Sequence, residues 1–555
     1  MEARCGHLAA LTAALMFIAL AVGAASGHGA TSLPIPPPST VTTIDPASAT
    51  LRAPGAGLSD PAVVPWGLNA LVSANLPSLL RPQVEPSVAS NPANRYEMVA
   101  GYADFVADSA PGISKSLDGG KTWAAPPGGP ILGPPPGFLW GNRNATGWLA
   151  QGDSALAWGT NRAVYFSMIG FQNNAAPPPP GTCEPGGVYV YRSSDGGDTW
   201  TLPTGGPAVA NTRTIFRDKP FVAADADAAS PHAGSVYLVW DDDEYSGCPQ
   251  SFPQNFVTRR IMFSRSTDGG VTWSAPATLG GGCVFGPVPA VGATGRLHVV
   301  WYDCNGGVAK QLVRTSTDGG ASFAVAVPAA SGFRSCPSPL PGATFRVVAP
   351  LPTIATDPVD PMLVYVAWAS CTRASQSDVF FSRSTDGGAT WTLPLRVNDD
   401  GASNPRDQFF PWLAVDDRRM VRLIWGDDRL DAGSAGGHFY DIFAAESTNR
   451  GASFGANVRV TTEPSNPDID FGGTFIGDYF GIAPCATPVW GDTRAGNQDI
   501  FASEYDANGN GVVDSCQPTA VGVASPTARR LGPQVAVRRR ITPAATFRIW
   551  QRPAP

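Results

Sequence analysis

The octapeptide Ser266–Trp273 (S-T-D-G-G-V-T-W) recurs along the chain, at Ser116–Trp123, Ser193–Trp200, Ser316–Phe323 and Ser384–Trp391. A variant copy, Ser447–Phe454, carries Asn449 and Arg450 where the others have Asp and Gly. One copy reads as a tight hairpin turn. The carboxylates of Asp118, Asp195, Asp268, Asp318 and Asp386 can accept backbone N–H bonds within it, the glycine pair supplies positive φ, and the closing aromatic ring anchors the next sheet. A lone S-x-D-G carries little weight. Five full copies at intervals of 50 to 77 residues specify a repeat architecture, because a single such unit cannot bury its own core.

Each unit holds the same order of phrases. In the third, Phe221–Asp225 is followed by Val236–Trp240, and Arg260–Ser264 then runs into the turn. The second phrase returns as Leu297–Trp301, Val364–Trp368, Val421–Trp425 and Thr487–Trp490. Such aliphatic runs fit strands covered on both faces. Counting phrases gives seven units, the first near Glu85 and the second near Gly152. The last, from Asp478 to Ala502, has no octapeptide and no fourth strand. A closed ring would draw that strand from within residues 68–83, and closure removes exposed sheet edges.

The octapeptide resembles the Asp-box of the sialidase-like, or BNR-repeat, β-propellers of exported bacterial type, and the resemblance spans Glu85 to Tyr505. It implies an all-β fold, a closed propeller of four-stranded antiparallel blades. The box would join the third and fourth strands of each blade, on the face away from the active site. Seven blades is the count from the phrases; six, the number in the best-known sialidases, is the rival. The box therefore argues for the fold and says little about chemistry.

Residues 1–25 read as a secretory signal, with Arg4 in a short n-region, no charge from Leu8 to Ser26, and small residues before Ser26. Residues 26–67 form a Pro/Ser/Thr-rich spacer, 68–505 the propeller, 506–517 a calcium-loop-like segment and 518–555 a basic tail; the extensions are expected to be flexible. No later stretch is apolar for long enough to span a bilayer. Arg529, Arg530, Arg538, Arg539, Arg540, Arg548 and Arg552 put +7 in the tail, so the rest of the chain sums to −14 (−7 minus +7). With an acidic body, no nucleic-acid partner is expected, and a monomer is expected.

Eight cysteines follow the signal, an even number that favours disulfides in an exported protein. Antiparallel pairing sets the start of strand one beside the end of strand two. That places Cys283 by Cys304, and Cys336 by Cys371. Cys183 and Cys248 lie in the second-to-third-strand loops of neighbouring units, and Cys485 and Cys516 remain to tie the tail to the last unit. Beyond the first thirty residues only His232, His298 and His438 occur, scattered, so a histidine metal centre or a Ser-His-Asp triad has little to build with.

Chemistry is expected on the face opposite the boxes, around the mouth of the central channel. The ligand-binding candidates there are Asp241, Asp242, Asp303, Asp407, Asp427, Asp478 and Asp492. The bland reading is that each caps its own turn and pairs with a neighbouring arginine. The resemblance to sialidases implies three arginines on the substrate carboxylate, a Tyr–Glu nucleophile pair and an Asp acid/base. Their Phe/Tyr-Arg-Ile-Pro motif is missing near the start of the propeller, which leaves Arg217, Asp218, Arg429, Tyr479 and Arg494 as the loose catalytic set. Separately, Asp506-Ala-Asn508-Gly-Asn510-Gly-Val512-Val-Asp514 matches the first nine positions of an EF-type calcium loop, although position twelve is Gln517. No cofactor is required; Ca²⁺ at Asp506, Asn508, Asn510, Val512 and Asp514 is the one ion suggested. Three functions follow: a secreted or periplasmic propeller binding a glycan or protein ligand at the mouth, an exo-α-sialidase-type glycoside hydrolase, or a structural surface module. The missing arginine motif favours the first.

Overall fold

A computed structural model describes residues 66–73, 82–105, 110–135, 139–140, 148–171, 186–247, 256–340, 343–348, 350–373, 376–401, 404–431 and 438–506. The signal, most of the spacer, Cys183, Cys248, Cys516, residues 507–517 and the basic tail lie outside them.

Seven sheets form a ring, so the chain is a seven-bladed β-propeller. Blade 3 shows the pattern: Ile215–Ala224, Val236–Tyr245, Phe256–Ser266 and Ala277–Gly282 pair in that order, each antiparallel to the last. Blades 4, 5 and 6 repeat it, with first strands Val284–Val291, Thr353–Thr356 and Gln408–Val415. Two blades depart from four strands. Blade 1 has three (Gln83–Asn91, Asn94–Asp104, Ala110–Ser116), its outer edge completed by isolated bridges at Ala124 and Ile131. Blade 2, built on Trp148–Trp158, has five because Leu139–Trp140 adds a short parallel strand. Blade 7 (Gly481–Ala483, Thr487–Asp492, Asp499–Ala502) takes its fourth strand from Ala70–Leu71, which closes the ring within the window read from the sequence.

The core follows from the second-strand phrase. Trp240, Trp301, Trp368, Trp425 and Trp490 are the largest fully buried side chains, one from each of blades 3 to 7. Burying a ring of that size removes a large apolar area from water in every blade.

All six octapeptide copies, the variant included, follow the third strand of their blade, so antiparallel alternation sets them on one face of the ring. Their bonding is the same. In Ser266–Trp273 the Ser266 hydroxyl donates to Asp268 Oδ1 (2.7 Å) and accepts from Gly270 N (2.8 Å). Thr272 donates its amide to Asp268 Oδ1 (2.9 Å) and its hydroxyl to Oδ2 (2.6 Å). Gly269 and Gly270 sit at φ +74° and +86°. The variant copy keeps this form: Asn449 Oδ1 takes the Asp role, Asn449 Nδ2 reverses the last bond by donating to Ser453 Oγ (2.8 Å), and Arg450 holds φ 60°. The turns also fasten neighbours. Arg265 of blade 3 donates to Gly319 O of blade 4 (2.7 Å), Arg383 of blade 5 to Arg450 O of blade 6 (2.9 Å), and Thr487 of blade 7 to Gly119 O of blade 1 (3.3 Å).

Cys283–Cys304 and Cys336–Cys371 are disulfides, with Cα–Cα distances of 5.1 and 5.0 Å. Cys485 is also disulfide-bonded. The two described bridges close loops with sequence separations of 21 and 35. Replacing Cys304 or Cys371 by Ser should each cost about 2–4 kcal/mol in denaturant unfolding, and non-reducing peptide mapping should recover both pairs.

The turn carboxylates predict a specific acid response. Bonds from the Thr272 hydroxyl and amide hold Asp268 down at about 2, against an ordinary 3.8. A folded-state value below the unfolded one means stability is present above 3.8 and lost as pH falls through about 2. Asp268→Asn keeps the turn, as Asn449 does, but cannot titrate. The melting-temperature gap between wild type and Asp268→Asn should therefore narrow as pH drops across that window.

Candidate functional site

The first strands of five blades share one irregularity. Their pairing with strand two skips two residues, at Glu85–Pro86, Asp153–Ser154, Lys219–Pro220, Gly286–Pro287 and Phe410–Pro411. The first residue of each pair has φ between 48° and 65°. Proline has no N–H for the ladder and suits the second place of a bulge. The left-handed backbone costs a non-glycine residue about 1–2 kcal/mol, so these bulges must be held by what their side chains do.

In blades 1, 2 and 3 the bulge residue is charged, and Glu85, Asp153 and Lys219 meet. The Lys219 ammonium pairs with Asp153 Oδ1 and, at 2.5 Å, with Asp478 Oδ2 from the link into blade 7. Arg346, from the segment before blade 5, donates to both oxygens of Asp478 at 2.5 Å. Asp153 N donates to Glu85 Oε2 (3.0 Å), Ser154 Oγ to Glu85 O (2.9 Å), and the Tyr479 hydroxyl to Ser154 O (2.9 Å). Blades 1, 2, 3, 5 and 7 are thus joined through one polar knot, in which Lys219 and Asp478 have no exposure at all. Beside it, Phe221 of blade 3 stacks on Trp412 of blade 6 at 5.5 Å, and Tyr479 meets both rings at 5.4 and 5.8 Å.

The knot has three acids and two bases, and burial sorts their protons. Burial alone would push Lys219 down, but Asp153, Asp478 and Glu85 hold it well above its ordinary value, so it stays charged. Burial opposes ionisation of Asp478 too, yet Arg346 and Lys219 keep its carboxyl below the usual range. Burial outweighs Lys219 at Glu85 and Asp153, and both are raised, Asp153 strongly. Glu85 Oε1 and Asp153 Oδ2 are buried with no hydrogen-bond partner among the described residues. One ligand oxygen from each of Glu85, Asp153 and Asp478 lies within 4.8 Å of the others, a spacing that could hold a metal ion. The Lys219 ammonium already supplies a cation to two of them.

The remaining sequence candidates occupy strand ends rather than loops, and are buried rather than open. Asp303, Asp427 and Asp492 close second strands that run further than their hydrophobic phrases, and Asp241 and Asp242 lie within one that runs on to Tyr245; all five are buried. Three are bound by the core tryptophan two residues earlier: Trp240 Nε1 to Asp242 (2.7 Å), Trp425 to Asp427 (2.7 Å) and Trp490 to Asp492 (2.8 Å). Asp303 accepts from Asn305 N (3.1 Å) and Lys310 Nζ (3.3 Å), and Asp241 from Gly286 N (3.1 Å). Asp407 accepts from Ser377 N (2.6 Å), and burial lifts its carboxyl to about 7.

The arginines expected to clamp a substrate are each engaged by an aspartate. Arg217 pairs with Asp242 of its own blade (3.3 Å). Arg429 pairs with Asp427 (2.8 Å) and lies over Phe443, while Arg494 pairs with Asp492 (2.7 Å) and lies over Phe501. Asp218 is buried and accepts from Lys219 N (3.0 Å). Tyr479 is not poised as a nucleophile: burial, then Glu85 and Asp153, raise its hydroxyl well above the ordinary value. Of the calcium-loop set only Asp506 lies within the described residues; Asn508, Asn510, Val512 and Asp514 lie outside. Asp153 and Arg346 escaped the sequence reading. A residue-plus-proline pair in the first strands of blades 1, 3, 4 and 6 was the available signal for the bulges, whereas nothing local marks Arg346, and Asp153 is followed by Ser154 instead.

Removing Lys219 should expose its structural weight. Lys219→Met leaves Asp153 and Asp478 without their ammonium and should cost about 3–5 kcal/mol in urea unfolding. Adding Asp153→Asn should restore part of that loss; strict additivity of the two changes would disprove the coupling.

No family model and no curated protein matches the chain. Among solved structures it is similar to the Hadza microbial sialidase Hz136, at 15% identity and a TM-score of 0.39, over 62% of this chain and 63% of that one. It is also similar to a Penicillium chrysogenum alpha-L-arabinanase complexed with arabinobiose (11% identity, TM-score 0.39, 79% and 97% covered). A third is the Trypanosoma rangeli sialidase in complex with sialic acid (13% identity, TM-score 0.38, 66% and 54% covered). The chain thus spans just under two thirds of the Hadza protein's length. Likeness at this level transfers no residue role, and the blade count above rests on the sheets themselves.

Proposed function

We propose that this chain is an exported propeller that recognises a glycan or protein ligand at the channel mouth, on the face opposite the octapeptide turns, and that it does not hydrolyse sialosides. The observation that carries this reading is the commitment of its cations. Arg217, Arg429 and Arg494 are each neutralised by an aspartate of their own blade, and a carboxylate clamp needs converging, unspent guanidinium groups. The paired disulfides support an oxidising compartment. Residues 106–109, 172–185, 248–255 and 432–437 connect second to third strands and lie outside the described residues. Loops on such a scaffold are the usual place for recognition, and the buried Asp241, Asp242, Asp303, Asp407, Asp427, Asp478 and Asp492 would shape the mouth from beneath.

A second reading, a glycoside hydrolase, is favoured by one observation: Asp153 is driven to hold its proton while Asp478 is driven to lose it. Carboxyls pushed apart in this way can divide acid and base roles. Its difficulty is access, since neither group touches solvent.

Fluorogenic α-sialosides and α-L-arabinosides should show no turnover above the blank, while a mixed glycan and protein array should show binding. Turnover abolished by Asp153→Asn, with the fold intact by circular dichroism, would establish the hydrolase instead.

A further inference from the structure

A cleft of about 360 Å³ opens on the other face of the ring, and no part of the reading above uses it. It lies at the seam where the chain closes on itself. Trp66 pairs by an isolated bridge with Tyr505, and the outer strands of blades 6 and 7 are only two residues long (Val458–Arg459 and Ala70–Leu71), so among the described residues neither edge covers the space. The lining comes from Trp66, Glu446, Thr448, Ser453, Phe454 and Val458, among others. Four of those six lie in or beside the variant octapeptide copy.

We propose that this cleft is a binding site for a neutral saccharide, distinct from the mouth. Its volume falls within the roughly 300–1,000 Å³ of small-molecule sites. The half-buried rings of Trp66 and Phe454 supply apolar surface for the C–H face of a sugar. Both rings are held by edge contacts, Trp66 to Tyr505 at 5.2 Å and Phe454 to Phe381 at 4.9 Å. Ser453 Oγ accepts from Asn449 Nδ2 and so keeps its own proton to donate, and Thr448 adds an exposed hydroxyl.

Charge decides the class of ligand. The Glu446 side chain is 26% exposed and offers a carboxylate or phosphate no donor of its own. It is also spoken for: Oε1 accepts from Arg422 Nε at 2.6 Å and Oε2 from the Tyr505 hydroxyl at 3.0 Å. A compensated carboxylate has little pull on an ammonium ligand but retains lone pairs for sugar hydroxyls. An uncharged polyol with an apolar face fits these features together.

The test is calorimetric titration of the full-length mature protein with maltotriose, cellotriose and xylotriose, with choline and sialyllactose as charged probes. At least one neutral trisaccharide should bind saturably at millimolar concentration or tighter, and neither charged probe should compete. Trp66→Ala should weaken binding about tenfold. Because that change could loosen the ring closure, Ala456→Trp serves as the second variant: residue 456 is exposed and lines the cleft, so the new ring fills the space without removing any packing. Binding undiminished in Ala456→Trp, saturation by choline or sialyllactose instead, or no binding of any neutral probe would each overturn the proposal.

Discussion

The ammonium of Lys219 holds the centre of this molecule. It lies between Asp153 of blade 2 and Asp478 of the link into blade 7, and Arg346, from the segment before blade 5, also closes on Asp478. Propeller blades pack on one another through apolar faces, which set their spacing but offer little direction. A buried ion pair is directional, since either charge left alone would be far more costly than the pair. The knot therefore favours one arrangement of blades around the axis, and it does so in the hands of residues whose backbone is itself strained. Glu85, Asp153 and Lys219 sit at φ 48–56°, a geometry that tertiary contacts must sustain.

The same economy of charge runs outward along the second strands. A core tryptophan donates its indole N–H to an aspartate two residues on, and an arginine four residues after the tryptophan folds back on that aspartate in blades 6 and 7. The indole N–H, which would otherwise be buried without a partner, is satisfied, and so is the carboxylate. Trp301 and Trp368, whose indole N–H groups have no partner among the described residues, show the alternative. What looks from composition like an acidic, ligand-ready mouth is largely a set of internal hydrogen-bond acceptors.

The two faces differ accordingly. On one, six turns share one bonding pattern, several of them tie neighbouring blades, and the variant copy, with Asn449 and Arg450, borders a cleft. On the other, the strand-end carboxylates are held by hydrogen bonds and ion pairs within the ring. A scaffold made rigid by repetition can vary its loops without disturbing its core.

The repeat architecture was legible in the sequence because it rests on local rules. The Ser-x-Asp-Gly-Gly turn needs only residues within reach of its own backbone, and the Val/Ile/Leu runs ending in tryptophan declare strands buried on both faces. Blade count, ring closure by residues near 70 and the Cys283–Cys304 and Cys336–Cys371 pairs follow from repeating one antiparallel unit. The site was less legible, for a physical reason. Whether Asp242, Asp427 or Asp492 faces solvent depends on how far its strand runs and on a tryptophan N–H that composition does not orient. Whether Lys219 meets Asp478 and Arg346, at sequence separations of 259 and 132 from that aspartate, depends on the closing of the ring. Local sequence chose the turns and the strands; only the closed tertiary structure decided which charges are spent on holding it together.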